Sequence, residues 1–406
     1  KPAAPSCAGR QEFLLMFAVF SVLRKLRACI AMITALFVLA ACQTGLSTDA
    51  STSITPGAPV PVALLVPHGA SNANEQKLAR DLESAARLAV ADLSGVQIDL
   101  RVYGTAGNAG QAQQAAQKAV EDGAKIIVGP LHAESANAAA VAVAPRGVNV
   151  LAFSNNSTIA GGNLFILGQT FQDTANRLTR YAVSQGRKRI LTVHSSNLAG
   201  ELGRQAIQQA ISANGASQAG TVSYAFSEQS VIAAVPAIRT AAEQNSADAI
   251  FIDANSAGAL PLFTQMLPEA GLSSETIQYI GLSRWDTPPQ TRDLPGVQGG
   301  WFAMPDPQRV LQFRSRFQAA NGSTPHPLAG LSYDAIAAIG ALAQSGQSDA
   351  FSRGRLTQSA GFGGVNGIFR FLPNGTTQRG LAVATIQNRQ VVVISPAPGS
   401  FAGSGF

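Results

Sequence analysis

Cysteine is nearly absent from this 406-residue chain, and the three that occur are Cys7, Cys29 and Cys42. The body after Cys42 therefore contains no thiol, which excludes a disulfide framework, a cysteine-ligated metal and a cysteine nucleophile there. Charged residues make up only 13% of the chain, and no run of lysine and arginine is longer than the three residues at 187–189. The net charge of +6 is concentrated in residues 1–41, which carry five basic residues and one acidic residue. A surface that follows a nucleic-acid backbone is therefore not expected.

The common signatures of catalytic and metal sites are also missing. There is no G-x-S-x-G, no H-E-x-x-H and no P-loop, and GTAGNAG at 104–110 lacks the dinucleotide-binding spacing. None of the four histidines, at 68, 132, 194 and 326, has a second potential ligand three or four residues further on. We therefore expect a protein that is not an enzyme, with no metal site and no cofactor.

A basic segment precedes a short apolar one near the N-terminus. Arg24, Lys25 and Arg27 are followed by the uncharged stretch 28–41, whose last three residues form Leu-Ala-Ala-Cys with Cys42. The stretch is too short for a transmembrane helix, which needs about 20 residues, and the pattern is typical of a signal peptide. It also resembles the lipobox of bacterial lipoproteins. We expect a signal peptide at 1–41, lipid attachment at Cys42, and a flexible tether rich in Ser, Thr, Gly and Pro at 42–60.

From residue 61 onward, short apolar runs alternate with amphipathic segments of helical period. The predicted strands are 62–67, 97–103, 125–129, 148–153, 189–194, 221–226, 248–253 and 277–282. The predicted helices include 111–121, 133–144, 172–185, 198–213, 231–244 and 258–270. This alternation predicts an α/β fold of two doubly wound parallel-sheet lobes around a cleft. We expect lobe 1 to comprise 61–170 and 283–345, lobe 2 to comprise 171–282 and 346–396, and 397–406 to be a tail.

Six loops follow the predicted strands at their carboxyl ends, where doubly wound sheets bind ligands. They are 67–70, 129–135, 154–158, 194–197, 253–256 and 283–286, and we predict that they meet at one cleft. The loop in VNVLAFSNNST contains five small polar residues in succession, Ser154, Asn155, Asn156, Ser157 and Thr158. Two interpretations remain open: these side chains hold a ligand, or they only satisfy the backbone of a turn.

Several strings of this sequence resemble one family. GAKIIVGPLHAESA followed by VNVLAFSNNST is similar to the first lobe of type I periplasmic binding proteins, the family of the leucine/isoleucine/valine receptor. The likeness extends over about residues 60–395 and includes LSYDAIAAI (331–339) and FGGVNGIFRFLPNG (362–375). More narrowly, VYGTAGNAG, GPLHAES, AFSNNS, LSRWD and GGWFAMPDP resemble a subgroup of lipoproteins described as activators of penicillin-binding proteins.

The resemblance implies a ligand carboxylate held in the first lobe by small hydroxyl residues and backbone amides. His132, Ser135 and the loop 154–158 stand at those places. It also implies an acidic residue for the ligand ammonium after the strand at 277–282, but this chain has Ser283, Arg284 and Trp285 there. A cation at that place opposes recognition of an amino acid. Asp253 and Asp286 are possible substitutes, and Asn255 lies in the same predicted cleft.

Arg284 and Trp285 also permit two interpretations. An arginine next to a tryptophan in a loop is commonly a packing pair between lobes. Alternatively, the guanidinium donates to an anion while the indole is a stacking platform for a ligand.

Two non-catalytic functions fit these observations. In the first, a small polar ligand, amino-acid-like or derived from the cell wall, closes the two lobes for transport or sensing. In the second, the protein activates a penicillin-binding protein: it binds a peptidoglycan synthase and has lost its small ligand. The first predicts a polar, solvent-filled cleft and the second a cleft sealed by side chains. Possible partners are thus a transporter or a synthase. We expect the protein to lie in the periplasm and to contact the membrane only through its lipid anchor. The outer membrane is favoured by analogy, because residue 43 is glutamine and not the aspartate that suggests inner-membrane retention in some bacteria.

Overall fold

The computed structural model describes residues 52–255 and 258–402. The predicted signal peptide, Cys42 and the first ten residues of the predicted tether lie outside the described residues, as do Ser256 and the last four residues of the tail. No helix of the described ranges is long and apolar enough to cross a membrane.

Strands and helices alternate through most of the chain. The strands are β1 (Val60–Val66), β2 (Ile98–Gly104), β3 (Ile126–Val128), β4 (Asn149–Ala152), β5 (Leu164–Ile166), β6 (Arg189–Ser195), β7 (Ser217–Tyr224), β8 (Ala249–Asp253), β9 (Gln278–Gly281), β10 (Trp301–Met304), β11 (Phe362–Gly364), β12 (Gly367–Phe371), β13 (Thr377–Arg379), β14 (Ala382–Gln387) and β15 (Gln390–Ser395). The α-helices are α1 (Ala73–Asp92), α2 (Ala109–Glu121), α3 (Ala133–Val143), α4 (Phe171–Ser184), α5 (Leu198–Ala213), α6 (Glu228–Gln244), α7 (Leu260–Glu269), α8 (Pro307–Asn321), α9 (Ala329–Gln344) and α10 (Arg353–Leu356).

The first sheet has five parallel strands in the order β2-β1-β3-β4-β5. Its central strands are apolar on both faces because helices cover both sides of the sheet. Alternate residues of β1 accordingly enter two different cores, Val62 and Leu64 one, and Ala63 and Leu65 the other. This sheet is the centre of lobe 1.

The second sheet has seven strands in the order β15-β14-β10-β9-β8-β6-β7. Strands β6 to β10 run parallel, whereas β14 and β15 complete one edge in antiparallel pairing. Two cores again cover its faces. This sheet is the centre of lobe 2, and the predicted fold class is confirmed.

Helix capping fixes the direction in which the chain enters lobe 2. The Thr170 side chain accepts a hydrogen bond from the backbone N–H of Asp173 (3.1 Å), and the Asp173 carboxylate accepts one from the N–H of Thr170 (3.0 Å). This reciprocal capping box satisfies two N–H groups at the start of α4. Asn197 caps α5 with a single bond, since its Oδ1 accepts from Gly200 N (2.9 Å). Both caps lie at the edge that faces the cleft.

The predicted lobe boundaries need two corrections. Strand β10, at 301–304, was assigned to lobe 1 but pairs with β9 and β14 of the second sheet. Residues 350–371 were assigned to lobe 2, but Phe351, Phe362, Phe369 and Phe371 pack in the core of lobe 1 with α9. They include strands of a small antiparallel sheet, β11-β12-β13. The chain consequently passes between the lobes after β5, after β10 and after β13.

Candidate functional site

A cavity of about 590 Å³ lies where the two lobes and the three crossing segments meet. This volume is in the range of small-molecule sites. Its lining residues are Leu131, His132, Ala133, Phe153, Ser154, Asn155, Asn156, Gly168, Gln169, Arg284, Pro305, Pro327, Leu328, Leu331, Asn366, Arg379 and Leu381. Three of the six predicted loops therefore contribute to it, those after β3, β4 and β9.

Backbone hydrogen bonds hold the first-lobe side of the cavity together. Phe153 N donates to Pro130 O (3.0 Å), and Gly168 N donates to Ser154 O (3.1 Å). These bonds join the carboxyl ends of β3, β4 and β5 into one rim. Next to that rim, α3 begins at Ala133, and the His132 side chain does not cap it. The first N–H groups of α3 lack an intrahelical acceptor and favour a negative charge.

The polar loop after β4 divides into turn residues and a free amide. Ser154 Oγ accepts a hydrogen bond from Asn156 N (3.1 Å), and Asn156 Oδ1 accepts from Thr158 N (3.0 Å) and Thr158 Oγ (2.8 Å). These contacts match the turn interpretation. Asn155 differs, because it is exposed to the cavity and its side chain forms no hydrogen bond within the described chain. It is the amide of this loop best placed to contact a ligand.

Other predicted first-lobe residues have mixed positions. His132 lines the cavity, and its Nε2 lies 3.3 Å from a Glu75 carboxylate oxygen. Ser135 is buried in α3 and does not line the cavity, although its Oγ has no hydrogen-bond partner in the described chain. Ser157 and Thr158 are exposed outside it.

Arg284 reaches the cavity from lobe 2. Its Nε and Nη2 donate to the two oxygens of Asp286, at 2.9 and 2.5 Å. The Arg284 side chain remains 37% exposed, whereas that of Asp286 is 10% exposed. The Asp286 carboxylate thus fixes the Arg284 guanidinium from the side away from the cavity, and part of the guanidinium faces the cavity.

Trp285 lies in the core of lobe 2 rather than in the cleft, which corrects both interpretations of this residue. Its side chain is fully buried. A Cβ atom added to Gly281 would lie 2.3 Å from the indole Nε1, and one added to Gly300 would lie 2.1 Å from Cζ3. The two glycines therefore make space for the ring within the sheet. It neither stacks on a ligand nor packs between lobes.

Asp253 and Asn255 are not brought to the cavity. Asp253 ends β8, and burial raises the pKa of its carboxyl group to about 6. Asn255 stabilises the loop after β8, because its backbone oxygen accepts a hydrogen bond from Gly258 N (3.1 Å). Neither lines the cavity between the lobes.

Arg379 lines the cavity although the sequence did not predict it there. It is 5% exposed, and its guanidinium donates to Leu167 O (3.0 and 2.5 Å) and to the fully buried Asp334 (3.1 Å). Its backbone N–H donates to Asp173 of α4 (3.3 Å). The network therefore connects two crossing segments with helices of both lobes. A signal was present, because Asp334 is a lone carboxylate in the apolar string LSYDAIAAI and a buried charge requires a partner.

A second cavity of about 360 Å³ extends along α5 from the same loop. Asn155, Asn156 and Ser157 form its lobe 1 side. Phe171, Gln172, Leu198, Ala199, Leu202, Gln205, Ala206 and Gln209 form the rest. No aspartate or glutamate of the described chain lines either cavity. The described residues also contain no cluster of three or more potential metal ligands.

Comparisons with known proteins identify the same fold. No curated protein gives a significant sequence match. Among solved structures, a putative branched-chain amino acid transporter protein from Rhodospirillum rubrum is 20% identical, with a TM-score of 0.70, covering 83% of this chain and 100% of the other. A substrate-binding protein from Desulfitobacterium hafniense in complex with Leu is 17% identical, with a TM-score of 0.60 and coverages of 83% and 100%.

A solute-binding protein from R. palustris in complex with benzoate is 16% identical, with a TM-score of 0.54 and coverages of 86% and 99%. At these identities the likeness concerns the fold alone. The family assignment rests on the sequence, since residues 59–390 match the family described as periplasmic binding protein. This chain therefore belongs to the periplasmic binding protein family.

Proposed function

We propose that this protein is a non-catalytic solute receptor that binds a small polar ligand between its two lobes and presents it to a transporter or sensor. The observation that carries the proposal is the cavity at the carboxyl ends of the strands, which both lobes and all three crossing segments line. Binding energy gained only when both lobes contact the ligand favours a closed arrangement. The solved relatives named above, which bind leucine or benzoate, support this proposal.

The first-lobe side suits a carboxylate. The uncapped start of α3, the free Asn155 amide and the His132 ring lie around one part of the cavity. Backbone N–H groups at a helix start bind anions because they have no other acceptor and the helix dipole adds to the attraction. This side therefore offers N–H donors for oxygen atoms of the ligand.

The alternative function, activation of a peptidoglycan synthase without a small ligand, receives less support. That function predicts a cleft sealed by side chains, whereas the cavity is open and has polar groups on both sides. Its remaining support is the subgroup resemblance in the sequence strings, together with the predicted lipid anchor at Cys42. Family membership implies a periplasmic location for either function.

Mass spectrometry tests the receptor proposal. We expect protein purified without denaturation to carry a small molecule that is released on unfolding and is absent after refolding. Adding the released molecule back to refolded protein is expected to raise its melting temperature, because a ligand that binds only the folded state stabilises it. The alternative would instead be supported if no preparation of the protein carries a small molecule and the protein still binds a synthase tightly.

A further inference from the structure

The charges around the cleft identify a class of ligand, provided that the proposed receptor function holds. We propose that the ligand is an organic anion with an apolar body and without an ammonium group. A carboxylate is the strongest partner that a protein can offer to the ammonium group of an amino acid, and a buried unpaired charge is strongly unfavourable. The described residues offer none on the cavity surface.

The carboxylates behind the cavity surface are already engaged. Both oxygens of Asp286 accept hydrogen bonds from Arg284. Asp334 is completely buried and accepts hydrogen bonds from Val365 N (2.7 Å), Asn366 Nδ2 (3.1 Å) and Arg379 Nη1 (3.1 Å). Glu75 contacts His132 from outside the lining. An ammonium group in the cavity would therefore compete with an existing partner for each of them.

Two arginines, in contrast, line the cavity. Arg284 lies on the lobe 2 side, and Arg379 lies at the crossing between the lobes. Arg284 uses Nε and Nη2 for Asp286, which leaves the N–H groups of Nη1 for a ligand. Its planar guanidinium matches a carboxylate. The position that would face an ammonium in an amino-acid receptor thus presents a donor for oxygen.

The rest of the lining is suited to a hydrocarbon body. Seven of the lining residues are large apolar side chains or prolines, namely Leu131, Phe153, Pro305, Pro327, Leu328, Leu331 and Leu381. Such a surface is stabilised by burying an aromatic or branched aliphatic group. The charge pattern and the lining together favour an arylalkanoate or branched alkanoate over the corresponding amino acid.

Matched probes test the inference by calorimetry on refolded protein. The first set is 3-phenylpropanoate, phenylalanine and 2-phenylethylamine, and the second is 4-methylpentanoate, leucine and 3-methylbutylamine. Within each set, the members differ in whether the carboxylate or the ammonium group is present. We expect the carboxylate without an amine to bind at least about 10-fold more tightly than the amino acid, and the amine to give no heat.

Variants then assign the effect to Arg284. Arg284→Gln is expected to weaken carboxylate binding by about 10- to 100-fold. The double variant Arg284→Gln with Asp286→Asn is expected to weaken it as well, although it leaves no unpaired carboxylate. The control is Arg239→Gln, since Arg239 forms a similar arginine–carboxylate pair with Glu243 (2.7 Å) on the exposed surface of α6. Circular dichroism confirms that each variant is folded.

The outcomes separate the two proposals. If phenylalanine or leucine binds as tightly as its deaminated partner, and Arg284→Gln does not weaken it, the anion inference is wrong while the receptor function stands. A molecule released from native protein that reacts with an amine reagent leads to the same conclusion. If no probe binds and no molecule is released on unfolding, both proposals fail.

Discussion

Replacing Arg379 by methionine is expected to lower the free energy of unfolding by about 3–5 kcal/mol, as measured by urea unfolding followed by circular dichroism. Methionine retains much of the apolar volume but removes every donor of the guanidinium. The fully buried Asp334 would then lose its cationic partner, and Leu167 O would lose two hydrogen bonds. Truncating one member of a buried pair is costly because the other charge stays in a medium of low dielectric constant.

Two further variants give this prediction its controls. Arg239→Met removes an arginine from an exposed pair and is expected to change the free energy of unfolding by less than about 1 kcal/mol. Adding Asp334→Asn to Arg379→Met is expected to recover part of the loss, since the buried charge is removed with its partner. If Arg379→Met destabilises the protein no more than Arg239→Met, Arg379 does not hold the crossing segments as described.

Trp285→Ala is expected to be similarly destabilising, at about 3–5 kcal/mol, because it leaves a large cavity in the core of lobe 2. The glycines that accommodate the ring, Gly281 and Gly300, have no side chain to fill that space. Urea unfolding measures the loss, and Trp285→Phe is expected to show a smaller one.

The exposed aromatic Phe226 provides the matched comparison for Trp285. Its side chain is 68% exposed, so Phe226→Ala is expected to alter the free energy of unfolding by less than about 0.5 kcal/mol. A stacking role for Trp285 predicts the opposite pattern from ours. In that case Trp285→Ala would lower ligand affinity strongly and leave the unfolding transition where it is.

Local sequence pattern was sufficient to predict most of the regular elements. The strands at 189–194 and 248–253 and the helix at 198–213 all occur, with boundaries that agree within a residue. These segments have strong apolar periods and clear end signals, such as Asn197 at the start of α5. Their local preference agrees with the final fold, so no distant contact was needed to place them.

Features that depend on distant contacts were harder to predict. Strand β10 and residues 350–371 were assigned to the wrong lobes. The strands and core residues that they pack against are distant in sequence, and such contacts leave no local sequence pattern. The same limit explains Trp285 and Arg379, which are neighbours of other polar or small residues in sequence. Trp285 fits its core because of glycines 4 and 15 positions away in sequence. Arg379 is paired with an aspartate 45 positions away.

Small-angle X-ray scattering shows whether a ligand bound in the cleft closes the two lobes. The refolded protein would be measured before and after addition of the molecule released from the native preparation, or of 3-phenylpropanoate at saturation. Because one ligand contacts both lobes, we expect a smaller radius of gyration with ligand, and a smaller decrease for Arg284→Gln at the same concentration. A radius of gyration that stays the same while the ligand demonstrably binds would contradict this expectation.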